Sequence, residues 1–354
     1  MSGITDYNKD SLKEVLSNFD RQIEHAIEIG EGIIPKKQLK NVEKVVLLGM
    51  GGSAIGGDLA RSFALAYNAL GKKMIFVNRG YDLPNWVDEN TLVIASSYSG
   101  NTEETLNAVN QAKEVTSNIA CITSGGELTK IAHENNWDII FMPGEFQPRC
   151  ALGYSLITLL SYLIKVDLLE KDASAKMLED FKTLPDFIRN KKDDFLNDKI
   201  NYPGNISTNL NGKIPIIYSS EKILGPVNLR WRAQLHENSK VAAFGSFLPE
   251  MNHNEINAYS NPKEVQDNFF FIFLEDASDN IRIRDRISAM IDIMELEDRS
   301  VRISSPQEKP AHRLFELLYL ADWISMHLAE KYNENPIAIP IITKLKRVLS
   351  EQCD

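Results

Sequence analysis

Cysteine is scarce in this sequence: Cys121, Cys150 and Cys353 are the only three in 354 residues. They stand far apart without any paired spacing, which argues against a disulfide framework and against a thiolate metal site. We therefore expect a protein of a reducing compartment, the cytoplasm.

Long apolar runs are also absent, and positive charges are fewer than negative ones. No stretch approaches the roughly 20 apolar residues of a membrane-spanning helix, and the first residues lack the basic start and apolar stretch of a leader. The net charge is −10, from 39 Lys and Arg against 49 Asp and Glu. This balance argues against nucleic acid and acidic membranes as main partners.

Metal-binding patterns are absent as well. The six histidines show no two-ligand spacing on a helix. We therefore expect no metal site.

Short apolar runs separated by helical segments fill the first half of the chain. After an amphipathic helix over about 12–27, these runs lie at 45–48, 74–77, 92–95, 119–122 and 139–142. Short buried runs that alternate with helices are typical of a parallel, doubly wound α/β sheet. The runs do not alternate between apolar and polar residues, which indicates strands covered on both faces.

The same pattern restarts after the turn-rich segment 201–213. Further strands are predicted at 214–218, 240–244, 269–274 and 300–304, with helices around 221–236, 279–295 and 311–332. We therefore predict two tandem α/β domains with doubly wound parallel sheets, over residues 1–195 and 196–354.

A glycine-rich loop, GMGGSAIGGD at 49–58, directly follows the first predicted strand. It satisfies the G-x-G-x-x-A dinucleotide pattern, but the next strand ends in Asn78 and Arg79 without the expected ribose-binding carboxylate. A Walker loop is excluded because no Gly-Lys-Ser/Thr closes it. The third alternative is a hydroxyl-lined site for a small phosphate monoester, with Ser53 at the helix start.

The third predicted strand favours that third alternative. It runs into SSYSGNTEET at 96–105, which brings several hydroxyl side chains to the carboxyl end of a neighbouring strand. Ligands of open α/β sheets bind at such strand ends, where Ser and Thr hydroxyls can donate to phosphate oxygens. Capping of the following helix is the competing explanation for these residues.

Five motifs in this order resemble a known family. The two loops, QPRCALGY at 147–154, RWRAQLHENSK at 230–240 and LPEMNHNEI at 248–256 are similar to those of the bifunctional phosphoglucose/phosphomannose isomerases. The resemblance covers about residues 10–350. It implies two sugar isomerase (SIS) domains of the flavodoxin-like sandwich type and an enzyme that needs no cofactor or metal.

The resemblance also implies roles for individual residues. The phosphate-binding positions are matched by Gly52, Ser53, Ser97, Ser99 and Thr102. The catalytic base is matched by Glu237, the ring-opening group by His253, the enediolate-stabilising arginine by Arg149 and the C-terminal lysine by Lys346. Lys344 stands close enough to Lys346 to remain an alternative.

The expected chemistry suits these residue types. Ring opening needs a group that exchanges a proton near neutral pH, as histidine does. A carboxylate can take a carbon-bound proton and return it, and an arginine offers a fixed charge to the enediolate. Glu237 could instead be a solvated helix charge, His253 a loop residue or half of a metal pair with Glu255, and Arg149 the partner of a surface acid.

The resulting prediction is an aldose–ketose isomerase of glycolysis and gluconeogenesis. It would act on glucose 6-phosphate, and on mannose 6-phosphate as well, as a homodimer whose histidine is shared across the interface. The alternative is a regulatory SIS protein that binds phosphosugars without catalysis.

Overall fold

Two separate parallel sheets organise the chain in the computed structural model, which describes residues 7–39, 41–197 and 201–351. In the described residues the first sheet has the strand order β2-β1-β3-β4-β5 and the second the order β7-β6-β8-β9. The strands are β1 Lys44–Leu48, β2 Met74–Asn78, β3 Thr91–Ser97, β4 Ile119–Thr123, β5 Asp138–Phe141, β6 Ile214–Ser220, β7 Phe244–Leu248, β8 Phe269–Glu275 and β9 Ser300–Ser304. Two tandem α/β units with parallel sheets were predicted, and this architecture is confirmed.

Helices cover both faces of each sheet. In chain order they are α1 Leu12–Ser17, α2 Phe19–Gly32, α3 Gly51–Ala66, α4 Glu103–Ala112, α5 Gly126–Glu134, α6 Leu152–Lys165, α7 Lys171–Leu196, α8 Tyr202–Leu210, α9 Gly225–Gln234, α10 Ile281–Ile293, α11 Pro310–Lys331 and α12 Pro340–Glu351. Among these described helices, none combines the length and the apolar character that crossing a bilayer requires.

The largest core lies in a central helical layer that the two domains share. Helices α2, α3, α6, α7 and α11 contribute to one continuous apolar cluster that reaches both sheets. Helices α4 and α5 cover the outer face of the first sheet, and α10 covers that of the second. Successive residues of β1 therefore point into different cores: Val45 and Leu47 into the shared one, Val46 and Leu48 into the outer one. This two-sided burial explains the unbroken apolar runs.

Two predicted elements differ from the observed ones. The opening helix is interrupted at Asn18, so that α1 and α2 are separate helices. The strand predicted at 240–244 instead begins at Phe244, because Lys240 has left-handed backbone (φ 58°) and Phe244 is the first residue in register with β6. Val241 and Ala243 lie in a loop and pack against the shared core. Their apolar side chains alone predicted a strand there.

The domain boundary predicted at 195/196 stays a prediction. Helix α7 ends at Leu196 and α8 begins at Tyr202. Both helices pack against α11.

Phe315 on α11 joins the two domains. Its side chain is fully buried, and its ring centroid lies 5.5 Å from that of Phe63 on α3 and 6.1 Å from that of Phe19 on α2.

We expect the substitution Phe315→Ala to lower the free energy of unfolding by about 3–5 kcal/mol, because it leaves a cavity between three helices. Phe244→Ala is the matched control, since Phe244 lies on the edge strand β7 with 57% of its surface exposed. It should cost less than about 1 kcal/mol. Urea denaturation measures both values, and equal costs would contradict a shared core at Phe315.

Candidate active site

The glycine loop and the serine loop meet at one edge of the first sheet. Strands β1 and β3 are parallel neighbours, with Leu48 in register with Ala95. The loops that follow them therefore leave the sheet side by side, and they lead into α3 and α4. The site is built at the carboxyl ends of adjacent parallel strands, where open α/β sheets bind ligands.

Direct hydrogen bonds join the two loops. Ser53 Oγ accepts a hydrogen bond from the backbone N–H of Tyr98 (3.1 Å), and Ser96 Oγ donates to the carbonyl of Ser53 (3.5 Å). A Cβ on Gly49 would lie 2.9 Å from the carbonyl oxygen of Ser96, so that glycine permits the close approach. Gly51 and Gly100 have positive φ angles of 48° and 70°, which favour glycine at both turns.

The hydroxyl groups of the serine loop leave the first-turn N–H groups of α4 without a side-chain cap in the described structure; among backbone N–H groups, Ser97 Oγ accepts only from that of the N-cap residue Thr102 (3.4 Å). Ser97 Oγ and Thr102 Oγ1 are 2.8 Å apart, and Thr102 makes no side-chain capping bond although it is the N-cap residue of α4. Ser99 is exposed, and its Oγ accepts a hydrogen bond from the N–H of Asn101 (3.2 Å). The first turn of α3 likewise has no side-chain cap in the described structure. Uncapped N–H groups at two adjacent helix starts are suited to an anion.

Arg149 lies next to this hydroxyl-lined edge. It stands on the 3₁₀ turn Pro148–Cys150 that follows β5, and its side chain is 3% exposed. A Cβ on Gly52 would come within 2.8 Å of the carbonyl carbon of Pro148 and 3.0 Å of the N of Arg149. The start of α3 therefore packs directly on the turn that carries Arg149.

Within the described residues, the Arg149 guanidinium makes four hydrogen bonds, all with the second domain. Its Nε donates to Asn238 Oδ1 (2.8 Å) and its Nη1 to Glu237 Oε2 (3.2 Å). Its Nη2 donates to the backbone carbonyls of Pro336 (2.8 Å) and Ile337 (2.9 Å). The predicted base and the predicted arginine are thus an ion pair across the domain boundary.

Glu237 stands on a π-helical turn, Leu235–Ser239, at the end of α9. Its side chain is 28% exposed, whereas the neighbouring Asn238 and Ser239 are buried. Such π-turns occur frequently at functional sites. The carboxylate is therefore held by Arg149 and still open to solvent.

Burial affects the acidity of groups around the site. It raises the pKa of the Cys150 thiol to about 11, so that this cysteine stays protonated at neutral pH. It also raises the pKa of Asp322 on α11, an effect that Arg230 and Gln234 oppose. Burial lowers the pKa of Lys240, whose Nζ donates to the backbone carbonyls of Asn238 and Asn335.

His253 and Lys346 are not joined to Arg149 and Glu237. His253 is exposed at the end of the 3₁₀ turn Glu250–His253, and the described part of the chain gives its ring no hydrogen-bond partner. Lys346 and Lys344 both lie on the surface helix α12, which begins shortly after the Ile337 carbonyl that binds Arg149. The choice between the two lysines stays a prediction.

Sequence analysis missed Asn238, Lys240 and the turn at 335–337. Asn238 and Lys240 belong to the quoted motif RWRAQLHENSK, but nothing in their types indicates contact with Arg149. Residues 7–39, 41–197 and 201–351 contain no group of three or more His, Cys, Asp or Glu side chains that could hold a metal ion.

Known proteins share this arrangement of two domains. Residues 38–163 match the model of the SIS domain, and residues 199–349 match that of the bacterial phospho-glucose isomerase C-terminal SIS domain. A bifunctional phosphoglucose/phosphomannose isomerase of Caldicellulosiruptor bescii is 39% identical over 96% of this chain and 98% of its own. The chain belongs to the bifunctional phosphoglucose/phosphomannose isomerase family.

A second relative and a solved structure support this assignment of family and fold. The Aquifex aeolicus protein of the same name is 35% identical over 89% of this chain and 93% of its own. The crystal structure of a putative phosphosugar isomerase from Clostridium difficile 630 has a TM-score of 0.71 at 16% identity, over 93% of this chain and 95% of that one. The predicted family and the predicted pair of SIS domains are confirmed.

We expect the substitution Gly52→Ala to lower the free energy of unfolding by about 1–3 kcal/mol, because the added Cβ must displace backbone at Pro148. Gly32→Ala, at the end of α2, is the matched control. A Cβ there meets nothing within 4 Å, so that the change should be neutral or stabilise by up to about 1 kcal/mol. Urea denaturation compares the two, and similar values would show that the contact at Gly52 can relax without cost.

Proposed function

We propose that the protein is an aldose–ketose isomerase that interconverts glucose 6-phosphate, and also mannose 6-phosphate, with fructose 6-phosphate. The observation that carries this proposal is the Arg149–Glu237 ion pair beside the hydroxyl-lined sheet edge. The names of the relatives at 39% and 35% identity support the reaction and the substrates.

The sugar phosphate would bind at the strand ends of the first sheet. We assign its phosphate to the hydroxyl groups of Ser53, Ser97, Ser99 and Thr102, with Gly52 allowing close approach. The starts of α3 and α4 add N–H donors and favourable helix dipoles. The carbonyl end of the open-chain sugar would then extend toward the second domain.

Glu237 would act as the base of the proton transfer. Its carboxylate takes the proton from C2 of the open-chain aldose, the C2–H electron pair forms the C1–C2 double bond, and O1 gains the negative charge. Glu237 returns the proton to C1 while the O2 proton moves to O1, which yields the ketose. Arg149 stabilises the charged enediolate without giving up its own proton.

Acceptance of both aldoses follows from this intermediate. Glucose 6-phosphate and mannose 6-phosphate differ only at C2, and both give the same planar enediolate. Rotation about the C2–C3 bond would let the proton return to either face.

The non-catalytic alternative has less support. A protein that only binds phosphosugars has no need for a buried arginine held against a solvent-accessible carboxylate.

We propose that the enzyme lies in the cytoplasm and acts in glycolysis and gluconeogenesis. The buried, free thiols of Cys121 and Cys150 support a reducing compartment.

A coupled assay tests the activity: fructose 6-phosphate is supplied, and glucose 6-phosphate and mannose 6-phosphate are measured with a chelator present. We expect Glu237→Gln to lower kcat by about 10²–10⁴-fold, because an amide cannot take the proton. Binding of fructose 6-phosphate should remain. Glu179→Gln, an exposed carboxylate paired with Lys182 on α7, is the control and should turn over normally.

Two results would count against this proposal. An inactive wild-type protein would favour the regulatory alternative, and an active Glu237→Gln variant would remove Glu237 as the base.

We further propose a homodimer in which His253 serves the site of the other subunit and opens the sugar ring, while Lys346 faces the substrate. The exposed ring of His253, with no partner in the described residues, supports a role outside its own subunit.

Mixed dimers test the shared histidine. Chains with Glu237→Gln and chains with His253→Ala should each be inactive alone. When they are co-expressed, about a quarter of the sites should combine an intact Glu237 with an intact His253 from the partner, and activity should return to that level. If the histidine serves its own subunit, the mixture stays inactive.

A further inference from the structure

Asn238 links Arg149 to the interior of the second domain. Its side chain is fully buried; Oδ1 accepts from Arg149 Nε (2.8 Å) and Nδ2 donates to Ser325 Oγ (2.9 Å). Ser325 Oγ in turn donates to the backbone carbonyl of Asp322 on α11 (2.8 Å). The orientation of the guanidinium is therefore set by a chain of hydrogen bonds that ends in a buried helix.

The main chain of Arg149 is also bound by the second domain, through Arg230. Arg230 Nη2 donates to the Arg149 carbonyl (3.1 Å) and to both oxygens of Asp322 (3.1 and 3.0 Å). The ion pair of Arg230 with Asp322 is buried on both sides. Because each charge is matched by the other, this pair anchors Arg149 without adding net charge near it.

The four acceptors around the guanidinium differ in charge. Asn238 Oδ1 and the carbonyls of Pro336 and Ile337 are neutral, and only Glu237 is an anion. When Glu237 takes the substrate proton it becomes neutral, and the negative charge moves to the enediolate. At that moment none of the four acceptors is an anion, and Glu237 no longer competes with the intermediate for Arg149.

We propose that Asn238 is a positioning residue: a neutral acceptor that orients Arg149 and thereby favours binding of the enediolate over binding of the substrate. The proposal rests on the proposed function. An aspartate at this position would keep the acceptor oxygen but would add an anion that competes for Arg149. An alanine would remove the acceptor and leave Nε unpaired in a buried place.

The competing explanation is that Asn238 only satisfies buried polar groups. In that case its loss lowers stability but leaves the properties of the folded enzyme unchanged. The two explanations differ in the ratio of affinities for an enediolate mimic and for substrate. Phosphoarabinonate is a suitable mimic because its planar carboxylate carries the charge of the intermediate, and fructose 6-phosphate serves as the substrate.

The experiment compares Asn238→Ala and Asn238→Asp with the wild type by kcat, KM and the Kd of phosphoarabinonate. We expect kcat and the affinity for the mimic to fall together by about 10–10³-fold in both variants. The KM for fructose 6-phosphate should change by less than about threefold, because the phosphate contacts are untouched. The aspartate variant is nearly isosteric and decides the question if the alanine variant does not fold.

Asn228→Asp is the matched control. Asn228 is also fully buried, on α9, but its side chain donates to the carbonyl of Ile217 (2.9 Å) and to Ser219 Oγ (3.3 Å). This variant should lose stability and keep the wild-type ratio of mimic to substrate affinity. If the Asn238 variants behave like it, or lose both affinities equally, the positioning role is wrong. An inactive wild-type enzyme would instead refute the proposed function.

Discussion

The hydrogen bonds of the Arg149 guanidinium are the constraint on which the site depends. A buried arginine is tolerated only when its donors are satisfied, and the acceptors of Arg149 come from two separate segments of the second domain. The contact that joins the domains at this point is therefore the contact that orients the charged groups of the site. Stability of the domain interface and geometry of the site cannot be separated here.

The two sheets have the same architecture but use their strand ends differently. In the first sheet β1 and β3 lead into loops of glycine and hydroxyl residues, and among the described residues no Lys or Arg side chain hydrogen-bonds to Ser53, Ser97 or Thr102. In the second sheet β8 ends at Glu275 and is followed by Asp276, and the two carboxylates accept hydrogen bonds from Arg302 and Arg313 (2.6 and 3.0 Å). Each of those carboxylates is paired with an arginine, and these ion pairs stabilise the fold of the second domain. In the function proposed above, the first domain thus offers the anion site, while the second supplies Glu237 and the support of Arg149.

Much of the fold could be predicted because its signals are local. Strands buried on both faces leave apolar runs, and the runs at β1, β3, β4, β6 and β8 were found on that basis. The prediction of β7 was wrong in position because Val241, which is half-buried, and Ala243, which is buried, pack against the core from a loop. Apolar residues that contact the core do not by themselves distinguish a loop from a strand. The break at Asn18 was missed because an apolar face continues across it.

The sequence by itself determined the two parallel sheets, the hydroxyl-rich strand ends and, through ordered motifs, the family. These features are encoded by residue type and spacing along short segments, so that neighbouring residues suffice to reveal them. Only the tertiary structure decided that Glu237 pairs with Arg149, and that Asn238 and the 335–337 turn hold that arginine. Such contacts join residues 88 to 188 positions apart in the sequence. Their existence depends on how two domains pack, which no local pattern records.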